Sequence, residues 1–460
     1  MEIGIENVGM NGNRIWIPKD VQSNIGNDFI DVTVTKCGTR ASFLTRITKD
    51  GRFFVPKEKR RSLNLDTDDN IDLKLRTVSN AKRSRSFLSG NNFDMLSFVP
   101  ERTMSGFDVL AKVDHNKMTL WYSTKGRPNE IEINRFVPFE TARLIGYFMA
   151  EGGKPKLAKR RGRELCFTNK SLGIITDFLN LSKMMFDVSR WSASVRYSPA
   201  VSQEDLENVT RILEYSGVRR ENVSKRESER IASYTIRLWI GSSVLAETVH
   251  SMSMGVMRFL SDVSACSKRD IIRHFLQGLI AGDGSLFSKR DKNGSLHTRL
   301  YVFESNKGFI EDYARIFLKI GIKGGIRKVK GKNLFIFTSH LNWEMLLLAL
   351  KYDILSSHVH KKKLIEAIAS HRRYKALRYL PMIEGEVSAR ILRGITKMPG
   401  SYNSGWVRDR TRDGILRKLR REHGVNVCEL TLKGRQAKRA LKSIVPTCPP
   451  RNVSFLRAGG

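Results

Sequence analysis

The chain has 460 residues, with 81 Lys and Arg against 46 Asp and Glu and a formal charge of +35. A hydrophobic fraction of 40% with 9% aromatics excludes wholesale disorder, and the length predicts about two to four domains. No window approaches about 18 consecutive apolar residues, which excludes a spanning helix and argues against a membrane partner. The start MEIGIENVGM lacks the basic and apolar regions of a secretory signal. Five scattered cysteines without a CxxC pair exclude a disulfide scaffold or structural zinc. They suit a reducing cytoplasm, with nucleoid association expected in a prokaryotic host. The positive surplus runs along the whole chain, and the last ninety residues alone hold 21 basic against 6 acidic side chains. Counterion release makes phosphate binding favourable for such a chain, so a nucleic acid is the expected partner; charge does not separate DNA from RNA.

Residues 1–78 contain a duplication. Arg14–Asp20 (RIWIPKD) recurs 38 residues later as Arg52–Glu58 (RFFVPKE), and alternating strands follow at Ile30–Val34 and Ile71–Leu75. Asp50-Gly51 between alternating runs signals a hairpin. Each half is predicted as strand, turn, strand ending in Pro-Lys, short helix, strand. One half is too small to bury its own apolar faces, so the halves should pair. The pattern resembles the swapped-hairpin, AbrB-like DNA-binding domains, here as two copies in one chain. That resemblance implies a small β-barrel with DNA contacts from Arg14, Lys19, Arg52 and Lys57. Residues 79–136 read as a linker. Ser79–Ser86 is basic, Leu110–Val113 and Thr119–Tyr122 look like strand pieces, and Lys125–Pro128 looks like a turn. Nothing in that stretch indicates a role.

A second duplication fills residues 137–370, with repeats at about 137–256 and 268–370. Thr141–Gly153 (TARLIGYFMAEGG) recurs as His274–Gly284 (HFLQGLIAGDG), each predicted as an apolar helix stopped by glycine. A strand and helix follow both, Leu165–Lys170 before Gly173–Met185 and Tyr301–Lys307 before Phe309–Ile320. Ile236–Ser243 then corresponds to Asn333–Ser339, and the first copy is longer around Asp187–Ser233. Helices alternating with antiparallel strands predict an α+β unit built twice. Gly146 and Ala150 on one helix, and Gly278 and Gly282 on the other, share a face at four-residue spacing. Two such helices can bring their backbones together, delivering Glu151 and Asp283 to the end of a shared axis. A helix C-terminus is the negative end of its dipole, so two anions there call for a cation. Oxygen ligands with open coordination positions suit Mg²⁺, and metal held by carboxylates against a phosphodiester is equipment for its hydrolysis.

Leu144–Gly152 (LIGYFMAEG) and Leu276–Gly284 (LQGLIAGDG) resemble the paired motifs of single-chain LAGLIDADG homing endonucleases. The resemblance implies a pseudo-twofold αββαββα core whose sheets form a saddle in the major groove of double-stranded DNA. Glu151 and Asp283 would be its metal-binding catalytic acids, and one chain holding both motifs would act as a monomer. It also implies a basic residue near the metals, from the strand before the last helix of a repeat. Here Trp239–Ser243 and Phe337–His340 carry no lysine; Lys328, Lys330, Lys332 and Arg237 are the nearby bases. DNA contacts are expected from Lys154, Lys156, Lys159, Arg160, Arg161 and Arg163 after the first acid. Lys289, Arg290 and Lys292 follow the second. The ends lack intein splicing residues, so the chain reads as free-standing.

Residues 371–460 are predicted as a basic domain. Val387–Ile395 reads as a helix, Pro399–Asn403 as a turn, Arg408–Arg421 as a very basic helix, Val425–Thr431 as a strand and Lys433–Ile444 as a helix. The order resembles a winged helix-turn-helix, which implies DNA contacts from Arg410, Arg412, Arg417 and Arg420. The sequence thus points to a site-specific, Mg²⁺-dependent double-strand DNA endonuclease with a DNA-binding domain at each end. A non-cleaving DNA-binding regulator on the same scaffold and an RNA intron maturase are the competing expectations.

Overall fold

The computed structural model describes residues 2–25, 29–48, 50–78, 86–124, 127–152, 164–262, 269–290, 296–355, 358–370, 379–396 and 400–442. The architecture is α+β, in two compact units: Met1–Leu260 with Asp270–Gly282, and Ser261–Arg269 with Asp283–Gly460.

The first unit begins with two matching halves. One comprises β1 (Glu2–Asn11), β2 (Arg14–Trp16), α1 (Lys19–Ile25) and β3 (Phe29–Lys36). The other comprises β4 (Thr39–Arg46), β5 (Arg52–Phe54), α2 (Lys57–Ser62) and β6 (Asn70–Val78). The six strands form one sheet in the order β4-β3-β6-β1-β2-β5. β3 pairs with β4 and β6, β6 also pairs with β1, and β2 pairs with β5. The first strand of each half therefore pairs with the last strand of the other. Period-two alternation puts Ile30, Val32 and Val34 and Ile71, Leu73 and Leu75 into one core with Ile15 and Phe53. Gly51 takes φ +76°, as the Asp50-Gly51 turn requires.

The stretch read as a linker with strand pieces is largely structured, and Leu110–Val113 and Thr119–Tyr122 both lie in strands; of the basic stretch, 79–85 lie outside the described residues. β7 (Leu88–Ser89), β8 (Asn92–Asp94) and β12 (Phe136–Pro138) form one small sheet. β9 (Val109–Asp114), β10 (Lys117–Thr124) and β11 (Arg127–Asn134) form another. Arg127 and Pro128 stand in β11 rather than in a turn, because Thr124 and Ser123 pair with them; Lys125 and Gly126 lie outside the described residues.

The first repeat runs through α3 (Ala142–Glu151), β13 (Leu165–Asn169), α4 (Leu172–Ser182) and β14 (Ser192–Tyr197). It continues through α5 (Gln203–Tyr215), β15 (Val223–Glu227), β16 (Tyr234–Ile240) and α6 (Ser243–Ser261), and α7 (Arg269–Asp283) opens the second. Its sheet order is β13-β16-β14-β15. The extra length of this copy is α5 and β15, which adds to β14 as a parallel edge.

The second unit continues the repeat with β17 (Gly284–Arg290), β18 (Leu296–Glu304), α8 (Lys307–Lys319), β19 (Gly325–Lys328), β20 (Phe335–His340), α9 (Trp343–Lys351) and α10 (His358–Ser370). The sheet order is β17-β18-β20-β19. Both repeats stack an aromatic of the helix on one of the sheet. Phe178 lies on Phe167 at 4.1 Å, and Phe317 on Phe337 at 4.8 Å.

The basic end of the chain departs from its predicted elements. α11 (Ala389–Thr396) is followed by α12 (Gly400–Arg412), β21 (Leu416–Glu422), β22 (Val425–Leu430) and α13 (Leu432–Lys442). Gly400–Asn403 is thus helical rather than a turn, because Asn403, Trp406 and Val407 are buried on one face; Pro399 lies outside the described residues. The predicted helix Arg408–Arg421 ends at Arg412. Gly414 at φ +70° turns the chain into β21, and His423 and Gly424, both at positive φ, close the hairpin to β22. Val387 bridges to Cys428, adding a third extended segment beside β22.

Candidate active site and nucleic-acid interface

Four small residues let α3 and the body of α7 touch backbone to backbone. A Cβ on Gly146 would fall 2.1 Å from the Phe275 carbonyl oxygen, and one on Gly278 would fall 2.0 Å from that of Arg143. Near the end of the contact, a Cβ on Gly282 would lie 2.5 Å from the Ala150 Cβ and 3.2 Å from the Glu151 Cγ. The glycine after the first acid serves space rather than chain reversal. Gly152 has φ −72°, but a Cβ there would strike the Phe148 carbonyl at 2.3 Å.

Glu151 ends α3 half-buried, and the Asn169 amide on β13 donates to its Oε1 at 3.3 Å. Burial pushes its carboxyl above the usual range, and the charge of Lys170 opposes this. Asp283 is the last residue of α7. In its own unit it adds its field to that of Glu304 at the Tyr313 hydroxyl. Burial first, then Glu304, then Asp283 hold that phenol well above its ordinary range. Tyr313 donates to Glu304 Oε2 at 3.3 Å, while Glu304 Oε1 accepts from the Asn306 N–H at 2.9 Å and the Ser305 hydroxyl at 3.1 Å.

Arg14 lies over the Phe54 ring at 4.9 Å and Arg52 over the Trp16 ring at 4.3 Å. All four side chains stand on the outward face of the β2–β5 ribbon, and Arg52 also pairs with Asp50. Lys19 and Lys57 are exposed at the starts of α1 and α2. Lys289, Lys328, Lys330 and Lys332 are exposed in or beside the second-repeat sheet. Of Arg290 only the backbone, in β17, is described. Lys154, Lys156, Lys159, Arg160, Arg161, Arg163 and Lys292 lie outside the described residues. Arg237, the base nearest the first repeat's last helix, is paired with Glu164 at 2.8 Å.

The four arginines expected on one recognition helix are divided. Arg410 and Arg412 are on α12, whereas Arg417 and Arg420 are on β21. Arg410 is only 13% exposed and pairs with Asp413 at 3.1 Å, so it faces inward. Arg417 bonds Glu429, and Arg420 forks onto Glu386 at 2.6 and 2.7 Å while reaching Glu422. Those carboxylates raise the Arg420 guanidinium further still, and Arg420 lowers Glu386.

Strand register sets basic residues on one face of each sheet, of which Arg196, Arg226, His297, Arg299, Arg327 and His340 were not singled out by spacing. Arg196, Arg226 and Arg237 point to the outward face of the first-repeat sheet, opposite buried Val195, Ile236 and Leu238. His297, Arg299, Arg327 and His340 do the same in the second, with Lys289. The signal was the alternation along Leu296–Glu304, in which Leu300 and Val302 are buried.

Residues 270–370 match the family described as the LAGLIDADG-like domain. No curated protein matches the chain. Among solved structures, the chain is similar to mesophilic variants of the homing endonuclease I-DmoI, at 16% identity and TM-score 0.28. The match covers 48% of this chain and 97% of that one. I-DmoI in complex with DNA and Mn matches at 16% identity and TM-score 0.29, over 48% and 98%. The meganuclease I-SmaMI bound to uncleavable DNA matches at 11% identity and TM-score 0.27, over 50% and 89%.

Proposed function

We propose that this chain is a site-specific endonuclease that hydrolyses phosphodiesters of double-stranded DNA, with Glu151 and Asp283 as its metal-holding acids. The observation that carries the reading is the reciprocal contact of Gly146 and Gly278, which sets Gly282, the residue before Asp283, against Ala150 and Glu151. Apolar helices paired only for packing need no acid at both ends. The LAGLIDADG-like match over 270–370 supports the same reading.

The donor chemistry fits a hard divalent cation, of which Mg²⁺ is our choice. Glu151 offers a carboxylate whose charge is penalised by burial, and the Asn169 amide fixes its orientation. A bound divalent ion would supply charge stabilisation at the phosphoryl oxygens. The chain's own residues hold and orient it, and the outward arginines of the two sheets neutralise backbone phosphates and read base edges. The outer domains extend the footprint: residues 1–78 as a tandem swapped-hairpin, AbrB-like module and 371–460 as a winged-helix-like module. The protein works as a cytoplasmic monomer, since both motifs lie on one chain.

Cleavage of duplex selected from a randomised pool, with Mg²⁺, tests this. Glu151→Gln and Asp283→Asn should each lower cutting by about a hundredfold or more while leaving binding nearly intact. Undiminished cutting of both strands by either variant would refute the assignment. A second reading, a regulator that binds DNA without cutting, draws on the pairing of Arg237 with Glu164. It predicts retarded bands and no new ends with the unmodified protein.

A further inference from the structure

The sheet β9–β11, with β7, β8 and β12, is gripped on both sides within the first unit. On one side, Leu110 and Trp121 are buried against Leu44 of β4, with Val78 packed on them. Lys112 pairs with Asp31 of β3, and the Leu44 N–H reaches Glu130 Oε2 at 3.5 Å. On the other side, the Ser243 N–H at the start of α6 donates to the Tyr122 hydroxyl at 3.4 Å. Further along α6, Glu247 accepts the Met104 N–H on both oxygens, at 3.0 and 3.1 Å. Phe87 meets Phe259 edge-on at 5.3 Å, and a Cβ on Gly255 would fall 2.9 Å from the Phe98 ring. The Asn134 N–H and amide reach the Met185 and Met184 carbonyls at 2.7 and 2.8 Å.

Adjacent residues divide the work. Trp121 and Tyr122 project to opposite faces of β10, one toward the N-terminal domain and the other toward α6. A flexible tether would need none of these contacts, nor a buried glutamate accepting a loop amide on both oxygens.

We infer that residues 86–138 are a rigid splint, fixing the N-terminal domain in one orientation to the first repeat so that base-pair spacing between their two DNA subsites becomes a specificity determinant. The spacing half of this inference rests on the DNA reading above. Each inserted base pair moves a subsite by about 3.4 Å and rotates it by about 34°, since a turn holds about 10.5 pairs. A flexible linker absorbs such a shift at little cost, because effective concentration changes slowly with length. A splint does not.

Leu44→Asp separates coupling from folding, because Leu44 lies in the contact with Trp121 while its neighbour Phe43 lies in the N-terminal core. The new carboxylate would also face Glu130. On a selected duplex, two base pairs inserted between the outer and central blocks should weaken binding of the unmodified protein by about tenfold or more. The same insertion should cost Leu44→Asp less than about threefold, from a weaker start. Tolerance by the unmodified protein, or equal sensitivity in the variant, would overturn the inference.

A second arm needs no DNA. Spin labels go on the exposed Cys37 and on Arg211→Cys in the full chain, the other cysteines replaced by alanine. The free protein should give one narrow distance, and Leu44→Asp a broad one; narrow in both or broad in both would sink the splint. If Leu44→Asp fails to fold, Lys112→Glu should broaden the distance and the swap Asp31→Lys with Lys112→Glu should narrow it again, failure of that restoration counting against the inference. A protein that binds no duplex yet gives this narrow-to-broad change keeps the splint and loses the nuclease.

Discussion

Two residues before the cap of its next helix, the first repeat carries Asn169 and the second carries Glu304. Each pairs with the neighbouring strand at the corresponding register, and each accepts a backbone N–H at that cap, from Ser171 at 2.7 Å and Asn306 at 2.9 Å. Their other ends differ. The Asn169 amide donates to Glu151, whereas Glu304 accepts from Tyr313, and the position matching Tyr313 in the first repeat is Phe178, stacked on Phe167. The cap needs only an acceptor, which an amide and a carboxylate both provide. The partner at the other end matches the group used: the Asn169 amide has a proton to give Glu151, and the Glu304 carboxylate takes one from Tyr313. Pseudosymmetry is kept where backbones touch, at Gly146 and Gly278, and abandoned at the polar groups beside the acids, so the two acids are not equivalent.

The most severe way to break the symmetric part is Gly278→Val or Gly146→Val. Each drives a Cβ into a carbonyl of the facing helix and should destabilise the first unit by about 3 kcal/mol or more, read from its thermal or denaturant transition. Gly241→Ala, with nothing near its Cβ, is the control that should leave the transition in place. Asn169→Asp tests the asymmetric part. It removes a donor from Glu151 and adds a like charge, costing about 2 kcal/mol, and the cost should grow as pH rises and both carboxylates ionise. Tyr313→Phe should cost less, about 1 kcal/mol, because Glu304 keeps its bonds to Ser305 and Asn306. The smallest effect is also the most specific. Glu151 is held above its ordinary pKa by burial, so stability present below the ordinary glutamate range is lost as pH rises through the raised value. Without metal, Glu151→Gln should match the unmodified protein in acid and exceed it at neutral pH. Added Mg²⁺ should raise the transition of the unmodified protein and leave that of Glu151→Gln where it was; an equal rise in both would remove Glu151 from the proposed metal site.

Much of this was legible because it is written in spacing. The four-residue interval from Gly146 to Ala150 and from Gly278 to Gly282 specifies a helix contact before any coordinates, and the RIWIPKD and RFFVPKE copies specify paired halves. Other elements were misread for physical reasons. The run SYNSGW has poor helix propensity, yet it is helical because burial of Asn403, Trp406 and Val407 outweighs propensity. The run ILRKLRRE carries apolar residues at helical spacing, but the signal that mattered was Asp413-Gly414 before it and His423-Gly424 after it, both turn dipeptides. The splint residues were unreadable because their partners, Leu44, Ser243 and Glu247, are remote in sequence.

The strand exchange in residues 1–78 bears on how the protein comes to be folded. Because β1 pairs with its own β2 only at its end and along its length with β6 of the other half, while β4 pairs only with β3 within that sheet, neither half is a stopping point on the folding route. The sheet must wait for a loop of some seventy residues to close, a late and slow event. Two separate chains exchanging strands in this way would come apart on dilution. Carrying both halves on one polypeptide makes the assembly unimolecular, so its melting should be the same at nanomolar as at micromolar protein.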